Sequence, residues 1–175
     1  MQTRDLPGGA ATGITLRSAR AADAAPVNDI YNHYVLHSNC TYQEEPETIE
    51  SRQRWLASHD TPAHPVIVAE DRGKIVGWGS LSPFHRRTAY RRTVENSVYV
   101  DHAYHRRGIG TLILNDLIQR ARKAEHHAIV ALIDGGQTGS VALHVRCGFE
   151  RVGCLKQVGF KFGQWLDVIY MQLIL

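Results

Sequence analysis

A mixed α/β fold, with a central twisted sheet of mostly antiparallel strands and helices flanking it, is what this sequence predicts. Two β-hairpins are legible: Val66 to Glu70 and Lys74 to Leu81 flank Asp71-Arg72-Gly73, and Arg151 to Phe162 and Trp165 to Leu173 flank Gly163-Gln164. A long amphipathic helix from about Gly108 to Lys123 separates two further strand patterns, Tyr90 to Val100 and Ala128 to Ile133. Helical periodicity fills the chain before the first hairpin. Helices laid on a sheet satisfy all three observations, because each element must bury one apolar face against another.

In chain order, residues 1–13 carry Pro7-Gly8-Gly9 and Gly13 and are predicted to be a flexible tail, with residues 14–175 forming a single domain. Ile14 to Arg17 is a short strand. Asp23 reads as an N-cap and Pro26 suits the first turn of a helix whose face is Val27, Ile30, Tyr31, Tyr34 and Val35. After a loop with Asn39, Thr41 and Tyr42, a weaker helix over Thr48 to Ser58 places Ile49, Arg52, Trp55 and Leu56 on one side. Ser82-Pro83-Phe84-His85-Arg86-Arg87 breaks the strand pattern as a basic loop. The long helix should bury Ile109, Leu112, Ile113, Leu117, Ile118 and Ala121, and its last turn carries Arg120, Arg122 and Lys123, which complement the dipole. Ala128 to Ile133 is unbroken apolar sequence, which predicts burial on both faces. Gly135-Gly136 ends it, and a short helix over Ser140 to Arg146 stops at Gly148.

Composition narrows the function classes. Apolar residues make up 43% and charged residues 21% of the 175, the balance of an ordinary globular protein. The net charge of +3 is spread over dispersed arginines, which suits an anionic small ligand and argues against a nucleic-acid partner. No apolar run approaches the ~20 residues that span a bilayer, and Met1 to Gly13 lacks the apolar core of a secretory signal, so no membrane partner is expected. Cys40, Cys147 and Cys154 are odd in number and lack metal-type spacing, which points to free thiols in the cytoplasm. His33 and His37 have the i, i+4 spacing of metal ligands, but no third ligand accompanies them and no metal is expected. His126-His127 reads as a solvated turn.

Chemistry concentrates in Val98 to Thr111. A strand runs into the loop His105-Arg106-Arg107-Gly108-Ile109-Gly110-Thr111, which opens the long helix. The first-turn N–H groups of a helix lack intrahelical partners, its dipole favours anions, glycines permit close approach, and two arginines add charge. This predicts a phosphate cradle. A dinucleotide fingerprint fails because its third glycine is Ile113, and no G-K-[ST] exists for a Walker loop.

Strand, R-R-G-I-G-T, helix, buried strand, and a helix running into Cys147-Gly148-Phe149 together resemble the GNAT acetyltransferase superfamily. The similarity is closer to its phosphinothricin / methionine sulfoximine / L-amino acid N-acetyltransferase branch. The segments that carry it are Asp29 to Val35, Thr41 to Pro46, Ser82-Pro83-Phe84 with Ala89-Tyr90, Thr93 to Val100, and Gly159 to Gly163 with Trp165-Leu166-Asp167. The resemblance implies a GNAT fold, acetyl-CoA as donor, a small-molecule amine as acceptor and a homodimer. It places the pyrophosphate on the amides of Arg106 through Thr111, and the pantetheine arm along the strand edge at Val98, Tyr99 and Val100. It also implies cofactor contacts at Gln137, where an asparagine often meets the cofactor arm, and at Ser140, three residues on.

Glu95 is the one carboxylate inside an apolar strand, on the face of Ser97 and Tyr99. It reads either as a solvent-facing strand residue or, matching the branch's T-V-E, as the base that takes the amine proton. His144 stands where many superfamily members place the tyrosine that protonates the leaving thiolate, and reads equally as a packed helix histidine. Arg87 and Arg86 with Tyr90 read either as a solvated loop or, as the resemblance implies, as the loop that meets the acceptor's carboxylate, a task suited to a guanidinium's parallel donors. Tyr31 is a candidate pocket wall. Three positions depart from the family: His105 for the usual glutamine or arginine, Gln137 for an asparagine, and His85 for an arginine. A GNAT acting on a protein or peptide amine, and a CoA-binding protein without catalysis, are the rival readings.

Overall fold

The computed structural model describes residues 13–175, so the predicted tail lies, apart from Gly13, outside the described residues. The elements follow in the predicted order: β1 (Ile14–Ser18), α1 (Ala24–His37), α2 (Ile49–Ser58), β2 (Val66–Asp71), β3 (Lys74–Pro83), β4 (Thr93–Val100), α3 (Ile109–Lys123), β5 (Ala128–Asp134), α4 (Thr138–Arg146), β6 (Glu150–Lys161) and β7 (Gln164–Ile174). One seven-stranded sheet has the order β1-β2-β3-β4-β5-β7-β6. All neighbours are antiparallel except β4 and β5, which α3 connects. The mixed, mostly antiparallel architecture is the predicted one.

Strand alternation splits the core into two layers. Val66, Val68, Ile75 and Trp78 pack under α1 and α2 with Val27 and Ile30, and Tyr99 joins them from β4. Ile67, Ala69, Val76, Leu81 and Val94 turn to the opposite face, against Ile109, Ile113, Leu114 and Leu117 of α3. At β3 the helix comes so near that only glycine fits. A Cβ on Gly79 would lie 2.5 Å from Ile113 Cγ2 and 3.0 Å from the Ser97 carbonyl oxygen. Gly79→Ala is therefore expected to cost about 1–3 kcal/mol in urea unfolding, as overpacked core substitutions do.

Both two-residue turns have the left-handed backbone that matches strand twist: Arg72 (φ 51°) with Gly73 (φ 85°), and Phe162 (φ 50°) with Gly163 (φ 76°). The second turn thus lies one residue earlier than predicted. Tyr90 is not in a strand. Thr88–Tyr90 is a short 3-10 turn and β4 begins at Thr93. Asp23 stands at the predicted N-cap position of α1, but its side chain makes no cap hydrogen bond, because it serves a 3-10 turn, Ala21–Asp23, that precedes the helix. The carboxylate reaches back to the Arg20 N–H at 2.7 Å and pairs with the Arg17 guanidinium at 2.7 and 2.9 Å.

Leu112 is exposed and Leu114 is buried instead. At 100° per residue Leu112 points about 140° away from the centre of the Ile109/Ile113/Leu117/Ile118/Ala121 stripe. Leu132 is 40% exposed, an exception to the burial expected along β5, because α1 and α2 cover their face of the sheet only over β2 to β4. The short helix α4 starts at Thr138, two residues early. No helix among the described residues is long and apolar enough to cross a membrane.

Candidate active site

The site begins where two strands part. β4 and β5 pair only at Thr93↔Ala128, Val94↔Ile129 and Glu95↔Val130, yet β4 continues to Val100 and β5 to Asp134. The Asp101 N–H donates to the Val76 carbonyl, on the β3 side. By alternation the N–H and C=O of Val98 and the N–H of Val100 point to the side that β5 has left. Tyr99 is a correction to the expected cofactor edge: its backbone turns to β3 and its ring joins Trp78, 4.7 Å away, under α1.

The mouth of this groove is the loop before α3. Arg106 (φ 62°) and Gly108 (φ 79°) both adopt left-handed backbone, which turns successive amides in one direction. Among the described residues, none of the N–H groups from Arg106 through Thr111 donates to another group of the chain. Gly110 brings α3 against its neighbours: a Cβ there would lie 3.2 Å from Leu143 of α4 and about 4 Å from the side chains of Val98 and Val100. Arg106 is exposed, whereas Arg107 folds back over the Tyr104 ring at 4.6 Å and onto the Ala103 carbonyl at 3.5 Å. The His105 ring faces α1. Its Nε2 meets the Tyr34 hydroxyl and lies 3.2 Å from the Val100 carbonyl, which Tyr34 also donates to. His105 thus contributes to the fixing of the strand end, not a side chain to the amide row.

Glu95 sits at the last pair before the strands part, on the α1/α2 face. It is partly buried with no hydrogen-bond or ion partner among the described residues, and burial raises its carboxyl above the ordinary glutamate range. The basic loop leaves from this end of β4, since Phe84 N–H donates to the Thr93 carbonyl. Arg86 and Arg87 are exposed there, and Tyr90 packs on Phe84 and His85 with centroids 5.8 and 5.1 Å away. Tyr31 is held further along: its hydroxyl bonds Thr41 at 2.9 Å and its ring lies 4.4 Å below the Arg52 guanidinium. The loop after α1 closes this side. Lys161, 2% exposed, holds the carbonyls of Ser38 and Thr41 at 2.8 and 2.9 Å, and Tyr42 reaches Asp134 and the Asp167 carbonyl.

On the opposite face, His144 is 3% exposed, and burial lowers its pKa below the usual imidazole value. Nδ1 lies 2.8 Å from the Ser140 carbonyl and Nε2 lies 3.0 Å from Asn96 Nδ2. Gln137 caps α4, its carbonyl accepting from the N–H groups of Ser140 and Val141 at 3.0 and 3.1 Å. Among the described residues no group of three His, Cys, Asp or Glu side chains is placed to hold a metal ion. His33 and His37 stack, with centroids 4.7 Å apart, instead of converging on a point.

Asn96 and Lys161 were not singled out from the sequence. Asn96 did leave a signal, a polar residue interrupting the Val94/Val98/Val100 face. Lys161 left none, because a hairpin lysine reads as exposed.

The chain belongs to the acetyltransferase (GNAT) family, whose model matches residues 27–149, from α1 to just beyond α4. Within it the chain falls in the phosphinothricin and methionine sulfoximine N-acetyltransferase branch. It is 37% identical over 160 residues to L-methionine sulfoximine/L-methionine sulfone acetyltransferase of Salmonella typhimurium, covering 91% of this chain and 94% of the relative. Among solved structures, a phosphinothricin acetyltransferase from Sinorhizobium meliloti in complex with acetyl-CoA matches with a TM-score of 0.90 at 36% identity, over 94% of this chain and 89% of the other. Ribosomal-protein-alanine N-acetyltransferase from Brucella melitensis matches with a TM-score of 0.90 at 40% identity, over 92% and 99%.

Proposed function

We propose that this chain is an acetyl-CoA-dependent N-acetyltransferase that acylates the primary amine of a small amino acid or analogue, of the phosphinothricin and methionine sulfoximine type. The observation that carries the reading is the parting of β4 from β5 directly beyond Glu95, with a row of free amides at the groove's other end. The methionine sulfoximine and phosphinothricin acetyltransferases named above support the acceptor class.

Bound acetyl-CoA supplies an activated acyl carbonyl. The amides of Arg106 through Thr111, with the Arg106 charge, hold the pyrophosphate. Val98 and Val100 pair with the pantetheine arm as an added strand would, and a β4 N–H stabilises charge on the acyl oxygen. Arg87, Arg86 and Tyr90 take the acceptor's carboxylate, and Tyr31 walls the pocket. Glu95 accepts the proton of the attacking amine through a water as the N–C bond forms; the C–S bond breaks with CoA leaving as its thiolate, which takes a proton from solvent. Attack is direct, in a ternary complex. Cys147 is no rival nucleophile, because burial raises its thiol pKa.

The reading includes one domain over residues 14–175 and a cytoplasmic homodimer. Leu155, Val158, Phe160, Phe162 and Trp165 leave the β6–β7 hairpin with an exposed apolar surface, Trp165 at 63%, that a second copy would cover. Sedimentation should give twice the 19.6 kDa chain mass, and Trp165→Asp should return it to one.

The deciding experiment follows CoA thiol release with phosphinothricin, methionine sulfoximine, free amino acids and a peptide beginning with alanine. Turnover with the small amines is expected. Turnover with the peptide alone would move the assignment to a protein acceptor, and tight acetyl-CoA binding without any turnover would make the chain a non-catalytic binder.

A further inference from the structure

We infer that the side-chain oxygen of Asn96 is a hydrogen-bond acceptor for the pantetheine amide N–H nearer the thioester, and that His144 is the positioning residue that aims it. This rests on the acetyl-CoA reading and adds a side-chain contact to a groove otherwise lined by backbone.

The orientation follows from one carbonyl. The Ser140 oxygen can only accept, so the His144 Nδ1 at 2.8 Å carries the proton. A buried, neutral imidazole then presents a bare lone pair at Nε2. Only the NH₂ end of the Asn96 amide can meet that lone pair, and it does so at 3.0 Å. Oδ1 is consequently turned away, and it is buried without a hydrogen-bond partner among the described residues, in a residue only 6% exposed. A buried acceptor left in this state costs about 1–3 kcal/mol. Such a group calls for a partner, and a donor carried by a ligand in the groove supplies one.

Its location says which ligand. Asn96 is the first β4 residue past the final β4–β5 pair, Glu95↔Val130, and its side chain lies on the α3/α4 face. Val98, Val100, Gly110 and Leu143 converge on the same side. The acetyl end of the donor has to reach this point to meet the base, and the nearest N–H it carries is that amide. The same bonding deprives His144 of a role as acid: its only proton is committed to Ser140.

The test is calorimetry of CoA, and of a CoA analogue with an ester in place of that amide, on wild type, Asn96→Leu, His144→Phe and His144→Gln. Asn96→Leu should weaken CoA about tenfold and leave the ester analogue unchanged. His144→Phe should weaken CoA similarly and raise KM for acetyl-CoA more than it lowers kcat. His144→Gln, whose Oε1 can accept from Asn96, should recover part of the loss. Asn96→Ser, too short to reach, replaces the leucine variant if that one does not fold and carries the same expectation. Equal weakening of both ligands, unchanged CoA affinity, or a loss in kcat alone for His144→Phe would overturn the inference. Failure of the wild-type protein to bind CoA would instead remove the acetyl-CoA reading beneath it.

Discussion

Glu95→Gln is expected to lower kcat by about 10²- to 10⁴-fold, the range supplied by a positioned base, and to change acetyl-CoA affinity little. Glutamine keeps the shape of the side chain but cannot take a proton. Burial lifts the wild-type carboxyl above its ordinary range, so activity should fall as pH drops through that raised value. In the glutamine variant this acid limb disappears, and the residual rate should climb with pH as the acceptor amine deprotonates unaided. Stability carries the opposite sign. A carboxyl whose folded-state pKa is raised binds its proton more tightly in the folded chain. It therefore favours folding at low pH, and that contribution is lost as pH rises through the folded value. Above the raised value the ionised, buried Glu95 is a cost to folding, so there Glu95→Gln should raise Tm while it lowers turnover. A variant with full kcat at pH 7, or with a lower Tm, would refute the assignment of Glu95 as a buried base.

Gly110→Asp should weaken CoA by about 100-fold, because placing like charges together in a binding site costs several kcal/mol. The Cβ would enter the space between α3, Leu143 and the Val98/Val100 edge, and the carboxylate would stand among the amides of the first turn. Gly110→Ala separates sterics from charge: its methyl crowds the flexible tip of Leu143 at 3.2 Å and meets Val98 and Val100 at ordinary contact distance, so a much smaller loss is expected. Equal losses for the two variants would mean that the first turn of α3 does not face an anion. Titration at two salt concentrations gives a second check, since the charge effect should shrink as screening rises.

Relations carried by neighbouring residues were legible in the chain itself. The α3 stripe, both hairpins and the glycine loop depend on spacings of one to four residues, and so does the polar position of Glu95 in an apolar strand. The errors were also local in origin. Asp23 has the chemistry of a cap, but the 3-10 turn Ala21–Asp23 redirects it to Arg20 and Arg17. Leu112 is as apolar as Leu114, and only the placement of α3 on β3 decides which one is covered.

The sequence alone determined the order of elements, the helices flanking a mixed sheet, and the glycine loop that opens α3, since backbone geometry and side-chain period set these. Tertiary structure decided where β4 and β5 separate, because the end of a parallel pairing depends on what two distant strands do together. It also decided the state of His144. On α4 the residue is a histidine with two titratable nitrogens, but Ser140 takes one and Asn96, from a strand 48 residues earlier, takes the other. Burial then pushes both groups toward their uncharged forms, raising the pKa of the Glu95 carboxyl and lowering that of the His144 imidazole, and no residue spacing encodes burial.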